Sequence, residues 1–212
     1  MAYAPAPGAP ISGAYPVDLV VTDERDINRL WGIPVAGVLV RMFLAIPHFV
    51  VLSILGIGLQ LWILVGWIWI LAYGQVPAIA VTLLTEVIHR GSRVAGYTVG
   101  LLPGEYPPLE PGAPGPTDVR IHLESLAINR LWGIPFLGFP VRILVTIPHL
   151  VVLAFLAVGV VLVHLVLWIP ILSTGRYPGW AASFFGAVFR FGVRVQAYLL
   201  LLPVPYPPLS FD

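Results

Sequence analysis

The segment Asn28-Arg29-Leu30-Trp31-Gly32-Ile33-Pro34 recurs letter for letter as Asn129-Arg130-Leu131-Trp132-Gly133-Ile134-Pro135, 101 positions later. The match runs on. Arg41 answers Arg142, Ile46-Pro47-His48 answers Ile147-Pro148-His149, and Gly58 answers Gly159. Across positions 28 to 52, sixteen of twenty-five residues are identical. Two halves this similar fold alike, and are expected to pack about a pseudo-twofold axis. The chain is one unit written twice.

The solvent of that unit follows from charge. Hydrophobic residues make up 58% of the chain and charged residues 10%, with a mean hydropathy of +0.93; an ordinary soluble domain is about 25% charged. Between Arg41 and Glu86 lie 44 residues without a charged side chain, and between Arg142 and Arg176 another 33. As single helices these tracts would measure roughly 66 and 50 Å, against a hydrocarbon core of about 30 Å. Each therefore reads as a transmembrane hairpin. The matched Gly58 and Gly159, with Gly56 and Gln60 beside the first, set the expected apices near 56–60 and 157–161, because glycine weakens a helix. The competing reading is a re-entrant hairpin, which would leave a turn inside hydrocarbon.

All eleven basic residues are arginine, and none falls at an expected apex. Hairpins return the chain to its starting side, so the arginines collect on one face. The positive-inside rule makes that face cytoplasmic, with both termini on it. Met1 to Ala14 has no basic start and no apolar core, so it reads as a disordered tail and not a signal peptide. The absence of cysteine excludes disulfides, cysteine-ligated metal and cysteine nucleophiles.

Four regions follow: a Pro/Ala-rich tail over 1–14, membrane repeats over 15–103 and 118–212, and a Pro/Gly-rich linker over 104–117. Each repeat opens on a short β-prone run, 17–21 or 118–122. The Asn-Arg-Leu-Trp-Gly-Ile-Pro segment and the hairpin come next. A helix follows, about Pro77 to Leu102 or Pro178 to Leu202, and each repeat closes on Tyr-Pro-Pro-Leu. The helix is amphipathic: Thr82, Glu86, His89, Arg90, Arg93 and Tyr97 share a face, as do Ser183, Arg190, Arg194 and Tyr198. A crossing would place Arg90 near the bilayer centre at a cost of about 2.5–3.5 kcal/mol. The helix is thus expected to lie at the cytoplasmic interface, with its arginines at lipid phosphates; the alternative pairs Glu86 with an arginine inside the bundle.

Several motifs together carry a resemblance: Tyr15-Pro16-Val17, the Arg-x5-Pro-His run of Arg41 to His48, Gly175-Arg176-Tyr177-Pro178, the Arg-Val-x-Ala-Tyr of Arg194 to Tyr198, and the Tyr-Pro-Pro endings. In these the chain resembles the bacterial membrane-protein family known as domain of unknown function 4389, as two tandem copies over about residues 15 to 210. Copy one has Gly74-Gln75-Val76-Pro77 where the pattern has Gly-Arg-Tyr-Pro, so any role of Arg176 and Tyr177 falls to one copy. The resemblance implies architecture and no catalytic residues.

Among side chains able to do chemistry, His48 and His149 stand out. A pseudo-twofold could bring their imidazoles together as axial ligands of one haem or pigment metal; alternatively each satisfies a carbonyl freed by the preceding proline. His164 has no histidine counterpart and reads as a hydrogen bond between helices. Arg41 and Arg142 suit headgroup capture or snorkelling. Arg90, Arg93, Arg190 and Arg194 are further candidates for contact with lipid or a partner, and Trp31 and Trp132 for interface anchors. Trp67 and Trp168 could line a quinone or pigment site, or simply pack. No paired carboxylates, phosphate loop, His-x-x-x-His pair or nucleophile elbow occurs, so no catalytic residue and no metal site is expected. Nucleic-acid binding has no support either, since the arginines are dispersed.

The sequence thus predicts an all-α membrane protein of the cytoplasmic membrane, multi-pass, with about four transmembrane helices. It would comprise two parallel tandem repeats, each a hairpin plus an amphipathic interfacial helix, with short β-prone cytoplasmic segments. Its expected role is a non-catalytic scaffold or accessory subunit, with the lipid bilayer and other integral membrane proteins as partners and no cofactor. The alternatives are a haem- or pigment-bearing subunit for electron transfer or light harvesting, and a lipid-binding or small-molecule transport module.

Overall fold

The computed structural model describes residues 15–104, 106–110 and 116–210. The expected tail over 1–14 and part of the linker lie outside these residues. The described chain is mostly helical. Its elements are β1 (Val17–Val21), α1 (Ala36–Leu44), α2 (Ile46–Tyr73), α3 (Ala78–Thr98), β2 (Thr117–Ile121), α4 (Gly138–Thr174) and α5 (Gly179–Leu199). A 3-10 turn precedes α1 (Arg29–Gly32) and another precedes α4 (Arg130–Gly133). Asn28 and Asn129 cap these turns, each side-chain oxygen accepting from the backbone N–H two residues on, at 3.0 and 2.9 Å.

The expected hairpin apices do not form. Residues 46–73 make one helix of 28 residues and 138–174 one of 37, about 42 and 55 Å long. Among the described residues these are the two helices long and apolar enough to cross a membrane, in place of about four. Gly58 and Gly159 lie inside them and face the following helix. A Cβ on Gly58 would come 3.2 Å from Leu83 Cδ2, and one on Gly159 3.1 Å from Phe184 Cζ. These glycines permit close helix approach rather than a turn, a second use of the same residue that pattern alone does not separate. The turns come later, at Gly74 and Gly175, which close the long helices in the left-handed conformation (φ 65° and 69°). Pro77 and Pro178 then precede α3 and α5. Each hairpin is therefore a long helix plus the amphipathic one.

The arginines of that amphipathic helix turn to protein and not to lipid phosphates. Eleven of the twenty-one residues of α3 are buried, Arg90 and Arg93 among them. α3 packs on α2 and β2, α5 packs on α4 and β1, and α3 touches α5. The result is three layers: the long helices, then α3 with α5, then a ribbon in which β1 and β2 pair antiparallel from Val17↔Ile121 to Val21↔Thr117. The core lies between them. Trp62, Ile70, Leu84 and Ile88 join Val17, Leu19 and Val119 in one cluster, and Leu167, Ile171, Tyr177 and Phe185 form a second.

The copies interlock. The first 3-10 turn packs on α4 and the second on α2. At the contact, a Cβ on Gly32 would meet Ile171 and Leu172, while one on Gly133 would meet the backbone of Trp67 and Leu71. Matched bridges, Asp26↔Arg176 and Gln75↔Ala127, seal both joints. The start of each long helix therefore lies beside the end of the other, and α2 and α4 run in opposite directions. The expected parallel arrangement is overturned. Its premise was that each apolar tract returned to its starting side, and single helices do not.

Candidate functional site

Each copy builds one cluster around its arginine and histidine. In copy one the Arg41 guanidinium, 1% exposed, lies between two rings, 4.9 Å from the centroid of Trp31 and 4.7 Å from that of Tyr97. Its Nη1 donates to the carbonyls of Tyr97 and Leu102, both at 2.9 Å. Copy two repeats this. Arg142 lies 5.1 Å from Trp132 and 4.0 Å from Tyr198, and its Nη2 donates to the Leu202 carbonyl at 3.3 Å. Neither arginine has a carboxylate within ion-pair distance among the described residues. Quadrupoles and carbonyl dipoles stand in for a counter-ion. The carbonyls lie in the last turn of α3 and just beyond the ends of α3 and α5, where orphan acceptors need donors.

The histidines extend the same clusters. The Tyr106 hydroxyl donates to the Leu44 carbonyl at 3.0 Å and lies 2.9 Å from His48 Nδ1. Tyr206 repeats it with Val145 at 2.7 Å and His149 Nδ1 at 3.2 Å. His149 Nε2 meets the Pro207 carbonyl at 2.9 Å, and its ring stacks on Phe191. Both His149 nitrogens are thus engaged: Nε2–H donates to the Pro207 carbonyl, and Nδ1 lies against the Tyr206 hydroxyl, whose single proton is directed chiefly at Val145. His48 and His149 are not brought together: each sits in the first part of its own long helix, and those helices run oppositely. A twofold site for one haem or pigment metal does not assemble. Each histidine instead anchors the Tyr-Pro-Pro segment of its own copy.

The other candidates are placed differently from expectation. Arg190 and Arg194, read as headgroup contacts, hold β1: Arg190 donates to the Leu19 carbonyl at 3.2 Å and Arg194 to that of Val17 at 3.1 Å. Asp18 joins them, 2.9 Å from Arg190 and 3.8 Å from Arg194. Arg90 pairs with Glu86 at 2.6 Å, the alternative considered above. Trp31 and Trp132 are half-buried against their arginines. His164 bonds within its own helix, to the Val160 carbonyl at 2.8 Å, and meets α5 only by an edge contact with Phe185. Trp67 is half-buried and Trp168 exposed. No group of three or more His, Asp or Glu among the described residues could hold a metal ion.

Sequence reasoning passed over the tyrosines. Tyr97, Tyr198, Tyr106 and Tyr206 complete the clusters, and their recurrence beside a matched Arg and His was the available signal. Tyr177 occurs in copy two alone. It is buried, and its hydroxyl donates to the Gly100 carbonyl at 2.6 Å, tying copy two to copy one. Burial pushes its phenol well above the ordinary range, so it remains a neutral donor. The side chain of Arg176, its neighbour in the motif, forms an exposed 3.5 Å pair with Asp26.

The clusters are built to hold chain segments in place. Tyr206→Phe removes one hydroxyl shared between Val145 and His149, and is expected to cost about 1–2 kcal/mol of stability. Protease sensitivity of the C-terminal segment in detergent should rise with it. Unchanged protection would show that the Tyr206 bonds do not hold that segment.

This arrangement is shared by both halves, and so is a match to a known family. Residues 36–108 and 137–210 each match the domain of unknown function (DUF4389). No curated protein and no solved structure shows detectable similarity to the chain. The two matched segments run from α1 to the first Tyr-Pro-Pro and from the start of α4 to the second, and together they cover more than half of the sequence. The chain belongs to the DUF4389 family, as a tandem pair of its domains.

Proposed function

We propose that the protein is a non-catalytic scaffold or accessory subunit of the cytoplasmic membrane, embedded in lipid and packed against other integral membrane proteins. The observation that carries this reading is how the two kinds of side chain are spent. Arg41, Arg142, Arg190, Arg194, His48, His149, Tyr106 and Tyr206 are engaged in internal bonds, while α2 and α4 turn large apolar side chains outward. Ile54, Leu64, Phe155 and Leu165 are each more than 60% exposed. An apolar surface of this extent suits lipid or a partner's helices.

Copy one also carries an apolar groove of about 810 Å³ between α2 and α3, lined by Gly58, Trp62, Gly66, Trp69 and Leu83 among others. Copy two has Val163, Leu167, Pro170 and Phe184 at the positions of Trp62, Gly66, Trp69 and Leu83. The groove thus offers one side of a pseudo-symmetric molecule to a partner helix.

Affinity purification from native membranes tests the reading. Integral membrane polypeptides should co-purify in fixed proportion, and Trp69→Ala should reduce their recovery several-fold while leaving thermal stability within about 1 kcal/mol. A monodisperse monomer without associated polypeptides would remove the basis for an accessory role.

A further inference from the structure

We propose that the protein occupies a single leaflet of the bilayer: α2 and α4 lie in the membrane plane among the acyl chains, and the β1–β2 ribbon faces water. This rests on reading the long helices as lipid-embedded and goes beyond it by setting their direction. The pseudo-twofold exchanges the copies, so it also exchanges the starts of the long helices, and likewise their ends. The interlock places each start beside the other helix's end. All four ends therefore share one level along the axis, and the long helices run across it.

Layering sets which way that axis points. The ribbon and the long helices lie on opposite sides of α3 and α5. The ribbon bears Asp118 and Arg120, with side chains 52% and 35% exposed. It also lies beside the middle of α5, where Gly186 approaches Val21 and Arg194 bonds to Val17. If the long helices stood across the bilayer, these charges, a half-exposed pair 3.7 Å apart, would face hydrocarbon near mid-depth, where even paired ions are costly unless buried in protein. Lying flat, the molecule puts the same charges in water and, in lipid, two long helices whose single charged residue, Arg142, is buried in protein. A helix is about 10–12 Å thick, and half of a ~30 Å hydrocarbon core accommodates it. The 3-10 turns and their flanking charges, Asp23, Glu24, Arg29 and Arg130, all exposed, then lie at headgroup level at both ends. The two ends of the described chain meet on the ribbon side, where the Tyr15 hydroxyl donates to the Pro205 carbonyl at 2.9 Å.

The chain has no cysteine, so single cysteines report position cleanly. Asp23→Cys stands on the segment that leads from β1 to the first 3-10 turn, at the end of the molecule where α1 begins, and Gln75→Cys just past the end of α2, both at exposed positions; Phe155→Cys marks the middle of α4. In sealed vesicles of one orientation, a membrane-impermeant maleimide should label positions 23 and 75 from the same side and position 155 from neither. Labelling of 23 and 75 from opposite sides would overturn the single-leaflet placement and establish a crossing. Flotation of the purified protein with phosphatidylcholine–phosphatidylglycerol liposomes tests the underlying reading separately. Protein that remains at the bottom of the gradient, soluble without detergent, would overturn lipid embedding itself. Labelling of Phe155→Cys from the aqueous phase would likewise overturn burial of α4 among acyl chains.

Discussion

Arg41→Ala is expected to destabilise the protein by about 3 kcal/mol, a drop readable as a lowered unfolding temperature in detergent. The substitution strips donors from the carbonyls of Tyr97 and Leu102, which Arg41 meets at 2.9 Å, at about 1–3 kcal/mol for each buried acceptor left unmet. It also removes two cation–π contacts, of about 0.5–2 kcal/mol each. Against these stands relief of the cost of burying a guanidinium that has no carboxylate partner among the described residues, so the net falls below the gross sum. Arg41→Lys separates charge from shape. Lysine keeps the charge but cannot span two carbonyls while lying flat between Trp31 and Tyr97, so it should recover less than half of the loss. Arg142 makes one longer carbonyl bond, at 3.3 Å, and stands closer to its tyrosine, at 4.0 Å. Its alanine variant should therefore lean more on the aromatic contact, and Tyr198→Leu should reproduce more of its effect than Tyr97→Leu does for Arg41. If both arginine variants unfolded within about 1 kcal/mol of the parent while losing bound anionic lipid, the arginines would be headgroup ligands and not internal clamps.

The same two arginines show where sequence reading ends. Their recurrence 101 positions apart, in step with the repeated Asn-Arg-Leu-Trp-Gly-Ile-Pro segment, marked them as special. Their burial could not be read, because an arginine at the edge of an apolar tract looks the same whether it snorkels to a phosphate or turns inward to a helix end. The β-prone runs were legible: 17–21 is β1, and 118–122 differs by one residue from β2. The amphipathic face of α3 and α5 was legible too, but not what meets it. Periodicity shows that Arg190 and Arg194 share a side; only the fold shows that side covered by β1 of the other copy. The hairpin error has a similar origin. Length argued that 44 uncharged residues exceed one crossing, and a glycine near the middle supplied a turn. The bond pattern instead continues to Gly74, and the surplus length is real helix. Long apolar helices that lie in a leaflet have no upper length set by bilayer thickness, so the arithmetic that split them does not apply to them.

Gly133→Ala is expected to be the most damaging single-methyl addition at the joint between the copies, costing about 3 kcal/mol, while Gly32→Ala costs about 1 kcal/mol. The two glycines hold the same place in the repeat yet meet different obstacles. A Cβ on Gly133 would lie 2.6 Å from the Leu71 nitrogen and 2.7 Å from the Trp67 oxygen, backbone atoms inside α2 that cannot turn away. A Cβ on Gly32 would lie 2.8 Å from Ile171 Cγ2 and 3.0 Å from both Ile171 Cβ and Leu172 Cγ, side-chain atoms that yield at less cost than helix backbone. The difference has a readout beyond stability, because these glycines join copies that are otherwise tied by the ribbon, by α3 against α5, and by the linker. With the chain cut by a protease site placed in the 104–117 linker, the parent halves should elute together in detergent. Gly32→Ala halves should do the same, and Gly133→Ala halves should separate. If both variants separated alike, the joint would respond to lost glycine flexibility and not to the backbone contact on α2. If neither separated, the ribbon and the α3–α5 contact would suffice to hold the copies, and the reciprocal packing of the 3-10 turns would follow from the pairing of the halves instead of causing it.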